Sequence, residues 1–87
     1  MVQQTITIKN ATGLSLRPTE LLYKTAMRYK AGARLEYAGG NANIKSILSV
    51  LGSGIKCGDE VTVQCDGADE AEALAELIKV IGEGLGE

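Results

Sequence analysis

Histidine is absent from this 87-residue sequence, and so are tryptophan and phenylalanine. Without an imidazole, a zinc site would need an unusual set of ligands, and Cys57 and Cys65 lack the spacing of metal ligands. We therefore expect no metal, no cofactor and two reduced thiols. Because three tyrosines are the only aromatic residues, the core must be built from Leu, Ile, Val, Ala and Met.

The sequence also lacks a strong charge of either sign. Nine basic and eleven acidic side chains give a formal net charge of -2, which is too weak a field to hold a nucleic-acid backbone or an acidic membrane surface. No stretch approaches the ~20 apolar residues of a membrane span, and the first residues, MVQQTITIKN, do not resemble a secretion signal. We expect one cytoplasmic domain, residues 1–87, with no direct binding to nucleic acid or membrane.

Four short segments have the pattern of β-strands. Apolar and polar residues alternate in the first and last of them, as in strands with one buried face. The second and third flank Gly39-Gly40, a pair that suits the tight turn of a hairpin. The four segments are residues 2–8, 33–37, 42–44 and 61–65.

Three segments have helical signals. The first is expected from about Leu16 to Tyr29, because Pro18 suits a first helical turn. The second is short, with Ser46 as its N-cap and Gly52 as its stop. The third begins after Asp69, and the glycines that follow it predict a frayed tail. The inward residues expected are Leu22, Ala26 and Tyr29 in the first helix, and Ala71, Leu74, Leu77, Ile78 and Ile81 in the third.

The order of these segments, β-α-β-β-α-β-α, predicts an α+β fold. Short links between strands favour antiparallel pairing. We expect an open-faced sandwich in which a four-stranded antiparallel sheet is covered on one face by three helices.

Two motifs carry information beyond folding. Residues 13–18 read Gly-Leu-Ser-Leu-Arg-Pro, and residues 43–48 read Asn-Ile-Lys-Ser-Ile-Leu. Each places a serine hydroxyl at the start of a helix, close to a basic side chain. Free backbone N–H groups at a helix start stabilise a phosphate, although a serine at such a position commonly serves only as a cap.

These motifs, together with Gly67-Ala68-Asp69-Glu70 and the overall length, resemble HPr, the phosphocarrier of the bacterial sugar phosphotransferase system. In that family the first motif reads G-[IL]-H-A-R-P and the second N-x-K-S-[IL]-[ML]. The resemblance covers essentially the whole chain. It implies the HPr fold and a protein that is not an enzyme.

The chain departs from the family at Ser15, which occupies the position of the phosphorylatable histidine. A phosphohistidine passes its phosphoryl group onward, whereas a serine phosphate is a stable ester. The departure makes this chain similar to Crh-like members, which act in catabolite repression. Arg17, which neutralises charge beside the phosphohistidine in the family, is then expected to bind a partner.

The resemblance also implies regulatory phosphorylation of Ser46 by HPr kinase/phosphorylase. The modified protein would act as corepressor of a LacI-type regulator similar to catabolite control protein A, and enzyme I is a further candidate partner. A phosphate on Ser46 would lie beside Lys45. The expected partner-binding residues are Ser15, Arg17, Lys45, Ile47, Leu48 and Leu51.

Other interpretations stay open from the sequence. The chain is alternatively a phosphocarrier that accepts phosphate on Ser15, or a paralogue that regulates an enzyme by binding alone. Ser15 would also fit a substitution that blocks the carrier site of an ordinary HPr. Because the first strand is short and polar on one face, both a monomer and a strand-swapped dimer are compatible with the sequence.

Overall fold

The computed structural model describes residues 1–87. Its elements, in chain order, are β1 (Val2–Thr7), α1 (Leu16–Met27), β2 (Gly32–Tyr37), β3 (Gly40–Asn43), α2 (Ile47–Leu51), β4 (Glu60–Asp66) and α3 (Glu70–Gly82). The strands form one antiparallel sheet in the order β1-β4-β2-β3. The predicted fold class is confirmed.

The two faces of the sheet differ in chemistry, because successive side chains of a strand point to opposite faces. On one face Leu35 of β2 lies opposite Val63 of β4, and both are fully buried. On the other face the side-chain amide of Gln64 donates hydrogen bonds to Gln3 and Glu36, at 2.9 and 2.8 Å. The helices therefore cover the apolar face and leave a polar face open.

Helix α1 begins at the predicted residue and buries the predicted face, including Leu22 and Ala26. It ends at Met27, before the predicted Tyr29. The backbone N–H groups of Arg28 and Tyr29 bond to carbonyls only three residues back, which tightens the chain into a turn. Tyr29 is half-buried beyond the helix.

The β2–β3 turn differs by one residue from the prediction. Tyr37 already pairs with Gly40, so the two-residue turn is Ala38-Gly39 and Gly40 belongs to β3. The predicted glycine pair marks the hairpin but does not form its turn.

Helix α3 is rotated slightly from the face that the sequence predicts. Leu77 and Ile81 are fully buried as expected, and Leu74 and Ile78 are half-buried at the edges of the apolar face. Ala71 is exposed, and Ala73 is buried instead. The small alanine side chains give too weak a signal to fix the centre of the face.

The prediction of a frayed tail is wrong, because the chain after α3 folds back onto the protein. The N–H of Gly84 bonds to the carbonyl of Ile81, and the N–H of Leu85 bonds to that of Val80. This hydrogen-bond pair is a Schellman motif, and its left-handed residue is Gly84, with φ +88. The side chain of Leu85 is 3% exposed, which anchors the tail to the core.

The two cysteines are free thiols in different surroundings. Cys65 lies in the core, where burial raises the pKa of its thiol. Cys57 is exposed, and its Sγ donates to the carbonyl of Lys9 at 3.5 Å. The core thiol is therefore protonated and shielded at neutral pH.

Candidate functional site

Ser15 lies at the N-cap position of α1, and its side chain is exposed. Its hydroxyl makes no capping hydrogen bond. Instead, the Oγ of Ser15 donates to the Oγ1 of Thr12 at 3.0 Å, and the Oγ1 of Thr12 donates to the carboxylate of Glu87. The predicted helix start is confirmed, but the hydroxyl of Ser15 forms its hydrogen bond within the preceding loop and does not cap the helix.

The loop before Ser15 is held against the segment around Ile55. The N–H of Leu14 donates to the carbonyl of Ile55 at 3.0 Å. Gly13 has φ +63, and a Cβ there would lie 2.7 Å from the Cα of Lys56. Glycine is therefore required at position 13 by both the backbone conformation and the close approach.

Arg17 is exposed, and none of the salt bridges of the chain includes it. It lines a shallow depression on α1 with Glu20, Leu21 and Lys24. Its guanidinium is thus available to an anionic group, as a partner-binding role would require.

Ser46 is the N-cap of α2, as the sequence predicts. Its Oγ accepts a hydrogen bond from the backbone N–H of Ser49 at 3.3 Å. The side chain of Ser49 then accepts from the backbone N–H of Asn43 at 2.9 Å. These bonds tie the end of β3 to the first turn of α2 and keep the half-buried Ser46 in one orientation.

Lys45 is next to Ser46 in the sequence, but its side chain contacts the chain just beyond the end of α1. Its Nζ donates to the backbone carbonyl of Tyr29 at 2.8 Å. Hydrogen bonds from the backbone N–H groups of Lys30 and Ala31 lower the pKa of Asp69, and the charge of Lys45 adds to this effect. The ammonium is thus held at the end of α1, although its residue precedes Ser46.

Apolar side chains are exposed on both α1 and α2, which pack against each other. Leu48 is 81% exposed, whereas Ile47 and Leu51 are half-buried and Val50 is fully buried. Of the expected partner-binding residues of α2, Leu48 is thus exposed, and Ile47 and Leu51 are partly exposed. The structure adds exposed apolar residues of α1 that the sequence analysis missed, namely Leu16 and Met27.

Thr12, Ser49 and Glu87 complete the surroundings of the two serines, and the sequence analysis assigned no role to them. Thr12 precedes Ser15 by three residues, a spacing at which hydroxyl side chains commonly form local hydrogen bonds. Glu87 follows glycines and carries no local signal. The chain has no group of three or more His, Cys, Asp or Glu residues that would hold a metal ion, and none of its helices is long and apolar enough to cross a membrane.

The known proteins that are similar to this chain include HPr and Crh proteins. A family model described as the PTS HPr component phosphorylation site matches residues 2–83. HPr-C-His from Thermoanaerobacter tengcongensis is 36% identical, with a TM-score of 0.95, covering 100% of this chain and 98% of that chain. Phosphocarrier protein HPr from Bacillus anthracis is 31% identical, with a TM-score of 0.87, and the match covers 92% of this chain and 95% of that chain.

Crh from Bacillus subtilis, described as a catabolite repression protein that forms a dimer by domain swapping, is also similar. It is 37% identical, with a TM-score of 0.77, and the match covers 97% of both chains. Proteins of this family are phosphocarriers and not enzymes. The family model matches nearly all of the residues, and the fold is that of HPr. The chain therefore belongs to the HPr family.

Proposed function

We propose that this protein is a regulatory, Crh-like member of the HPr family that is controlled by phosphorylation of Ser46. The observation that carries the proposal is the contrast between the two serines. Ser46 keeps the sequence context of the regulatory site at the start of α2, while Ser15 stands where the carrier histidine is expected and the chain has no histidine at all.

The surroundings of Ser46 favour a phosphate. Its oxygen already accepts from the N–H of Ser49, and a phosphate would offer stronger acceptors to this N–H group and to the others at the start of α2. Helix α2 has only five residues, so these N–H groups contribute more than a helix dipole does. Modification would change the surface and leave the hydrophobic core intact.

The exposed surface supports a docking role. Leu48 offers a large apolar side chain beside Ser46, and Arg17 offers an unpaired cation on the neighbouring helix. Arginine is enriched at protein interfaces, and the burial of an exposed apolar side chain against a partner is favourable. The proposed partners are HPr kinase/phosphorylase and a LacI-type regulator similar to catabolite control protein A, for which the phosphorylated protein is corepressor.

The first test measures phosphorylation directly. The protein is incubated with ATP and HPr kinase/phosphorylase, and its intact mass is recorded beside those of Ser46→Ala and Ser15→Ala. We expect a gain of one phosphate in the native protein and in Ser15→Ala, and none in Ser46→Ala. No gain in the native protein, under conditions that modify an ordinary HPr, would contradict the regulatory proposal.

The second test measures corepression. Binding of the phosphorylated protein to the regulator is compared with binding of the unmodified protein, and Leu48→Ala serves as the interface variant. We expect tight binding only after phosphorylation, and weaker binding by Leu48→Ala. Equal binding by the two forms would favour regulation by binding alone.

The alternative function is phosphate transfer through Ser15. The exposure of its hydroxyl favours this alternative, while the stability of a serine phosphate ester disfavours onward transfer. Incubation with phosphoenolpyruvate and enzyme I separates the two functions. If the protein is a carrier, the native protein gains a phosphate and Ser15→Ala does not.

For the assembly state, we propose a monomer. β1 pairs with β4 of its own chain over six residue pairs. The connection after β1 is also fixed, since Ile8 exchanges backbone hydrogen bonds with Asp59 and Gly58, and Leu14 bonds to Ile55. Strand exchange would re-form the β1–β4 pairs between two chains but would have to open the connection after β1, so we expect one monomer mass by light scattering at high concentration, and a dimer mass would contradict it.

A further inference from the structure

A depression lies on the open polar face of the sheet, opposite the face that the helices cover. Gly32 forms its floor, because residues 32, 34 and 36 of β2 are on the open face and the first of them has no side chain. A Cβ at Gly32 would lie within 4 Å of one atom only, the carbonyl oxygen of Asp66. The cavity has a volume of about 420 Å³, which is within the usual range of small-molecule sites.

Two opposite charges line this cavity without a close partner. Arg34 forms no ion pair. The side chain of Asp66 is 77% exposed and lies 3.9 Å from the α-ammonium of Met1, which is closer to Glu70, at 3.2 Å. In the register of β2 and β4, Gly32 is opposite Asp66 and Arg34 is two residues further along. The cation and the carboxylate are therefore separated by the gap that the glycine leaves.

The wall of the cavity offers one hydrogen-bond acceptor and one donor. Both N–H groups of the Gln64 side chain already donate, one to β1 and one to β2, so its carbonyl oxygen is left to accept. The Oδ1 of Asn43 accepts from the backbone N–H of Lys45 at 3.0 Å, so its NH₂ group is left to donate. In the sheet, Gln64 and Asn43 are paired with Arg34 from its two sides.

We propose that this cavity binds a free amino acid with a polar side chain. Arg34 binds the α-carboxylate through two parallel N–H···O bonds, and Asp66 accepts from the α-ammonium. Gln64 and Asn43 provide the acceptor and the donor for the polar side chain. A ligand with only one charge is attracted by Arg34 or Asp66 and repelled by the other, so the cavity selects a zwitterion. The proposal does not depend on phosphorylation of Ser46.

The test uses L-glutamine as the probe. The native protein is titrated with it at low ionic strength, and the backbone amide NMR signals of β2, β3 and β4 are followed. Sodium acetate and methylammonium chloride, which each carry one of the two charges, are titrated separately. We expect shifts around Gly32 with a millimolar Kd, because the contacts are exposed, and binding of either single-charge compound that is weaker by at least about threefold.

Four variants assign the binding to this cavity. Arg34→Gln and Asp66→Asn each remove one charge, and we expect each to raise the Kd for L-glutamine by at least about threefold. Gly32→Val keeps both charges but fills the floor, so the shifts should disappear. Glu60→Gln is the matched control, since Glu60 is an exposed carboxylate on the same face of β4, and its Kd should equal that of the native protein.

Two results would overturn the proposal. The first is the absence of measurable shifts in the native protein. The second is a Kd for L-glutamine that stays unchanged in Arg34→Gln and Asp66→Asn. These two variants decide the matter even if Gly32→Val does not fold, because they keep the size of the side chains close to the native ones.

Discussion

The ammonium of Lys45 donates a 2.8 Å hydrogen bond to the backbone carbonyl of Tyr29. This bond connects the loop before α2 to the chain just beyond the end of α1. A cation near the carboxyl end of a helix also interacts favourably with the carbonyls that lack helical partners. Lys45 therefore has a structural role in addition to any contact with a partner.

We predict that Lys45→Met lowers the free energy of unfolding by about 1 kcal/mol, because a partly buried, charge-assisted hydrogen bond is lost while the apolar stem is kept. Urea unfolding at neutral pH measures the change. Lys30→Met is the control, since Lys30 is exposed and makes only a backbone hydrogen bond. A Lys45 variant as stable as the control would show that the bond contributes nothing.

The position of Lys45 shows what sequence alone could provide. The cap of α2 was predictable because Ser46 and Gly52 are local signals, and the alternation of apolar residues located β4 in the same way. The direction of the Lys45 side chain depends instead on the place where α1 ends. The contact between Thr12 and Glu87 was unpredictable for a similar reason, since no local pattern joins residues so far apart in the chain.

A second long-range contact gives a prediction about pH. The carboxylate of Asp69 accepts from the backbone N–H groups of Lys30 and Ala31 at 2.9 and 2.8 Å. These hydrogen bonds, the one from Lys30 first, hold the pKa of Asp69 below its ordinary value. A carboxyl group with a lowered folded-state pKa stabilises the protein above its unfolded pKa, and this stabilisation is lost as the pH falls through the folded value.

We therefore expect Asp69→Ala to be less stable than the native protein at pH 7, with a difference that shrinks as the pH falls below about 4, the ordinary pKa of an aspartate, and through the lower folded-state pKa. Denaturant midpoints across this range measure it. Glu72→Ala is the control, since Glu72 is an exposed carboxylate in the first turn of α3, the helix that Asp69 precedes. A difference that stayed constant with pH would contradict a role for the ionised carboxylate.

The short helix α2 divides its apolar residues between core and surface. Val50 is fully buried, whereas Leu48 is 81% exposed. We predict that Val50→Ala costs about 2 kcal/mol of stability, through lost burial and a cavity. Leu48→Ala should change stability by less than about 0.5 kcal/mol. Comparable losses in the two variants, measured by thermal unfolding, would mean that α2 is oriented differently.

The end of α3 offers a matched pair of glycines. Gly84 has φ +88, a conformation that costs an alanine about 1 kcal/mol, whereas Gly82 is helical and a Cβ there would meet no atom within 4 Å. We expect Gly84→Ala to destabilise the protein by about 1 kcal/mol. Gly82→Ala should stabilise it by up to about 1 kcal/mol, because alanine favours the helix. If the tail were frayed, Gly84→Ala would leave the free energy of unfolding nearly unchanged. A decrease in Gly84→Ala together with an increase in Gly82→Ala, measured by urea unfolding, would show that the tail is folded.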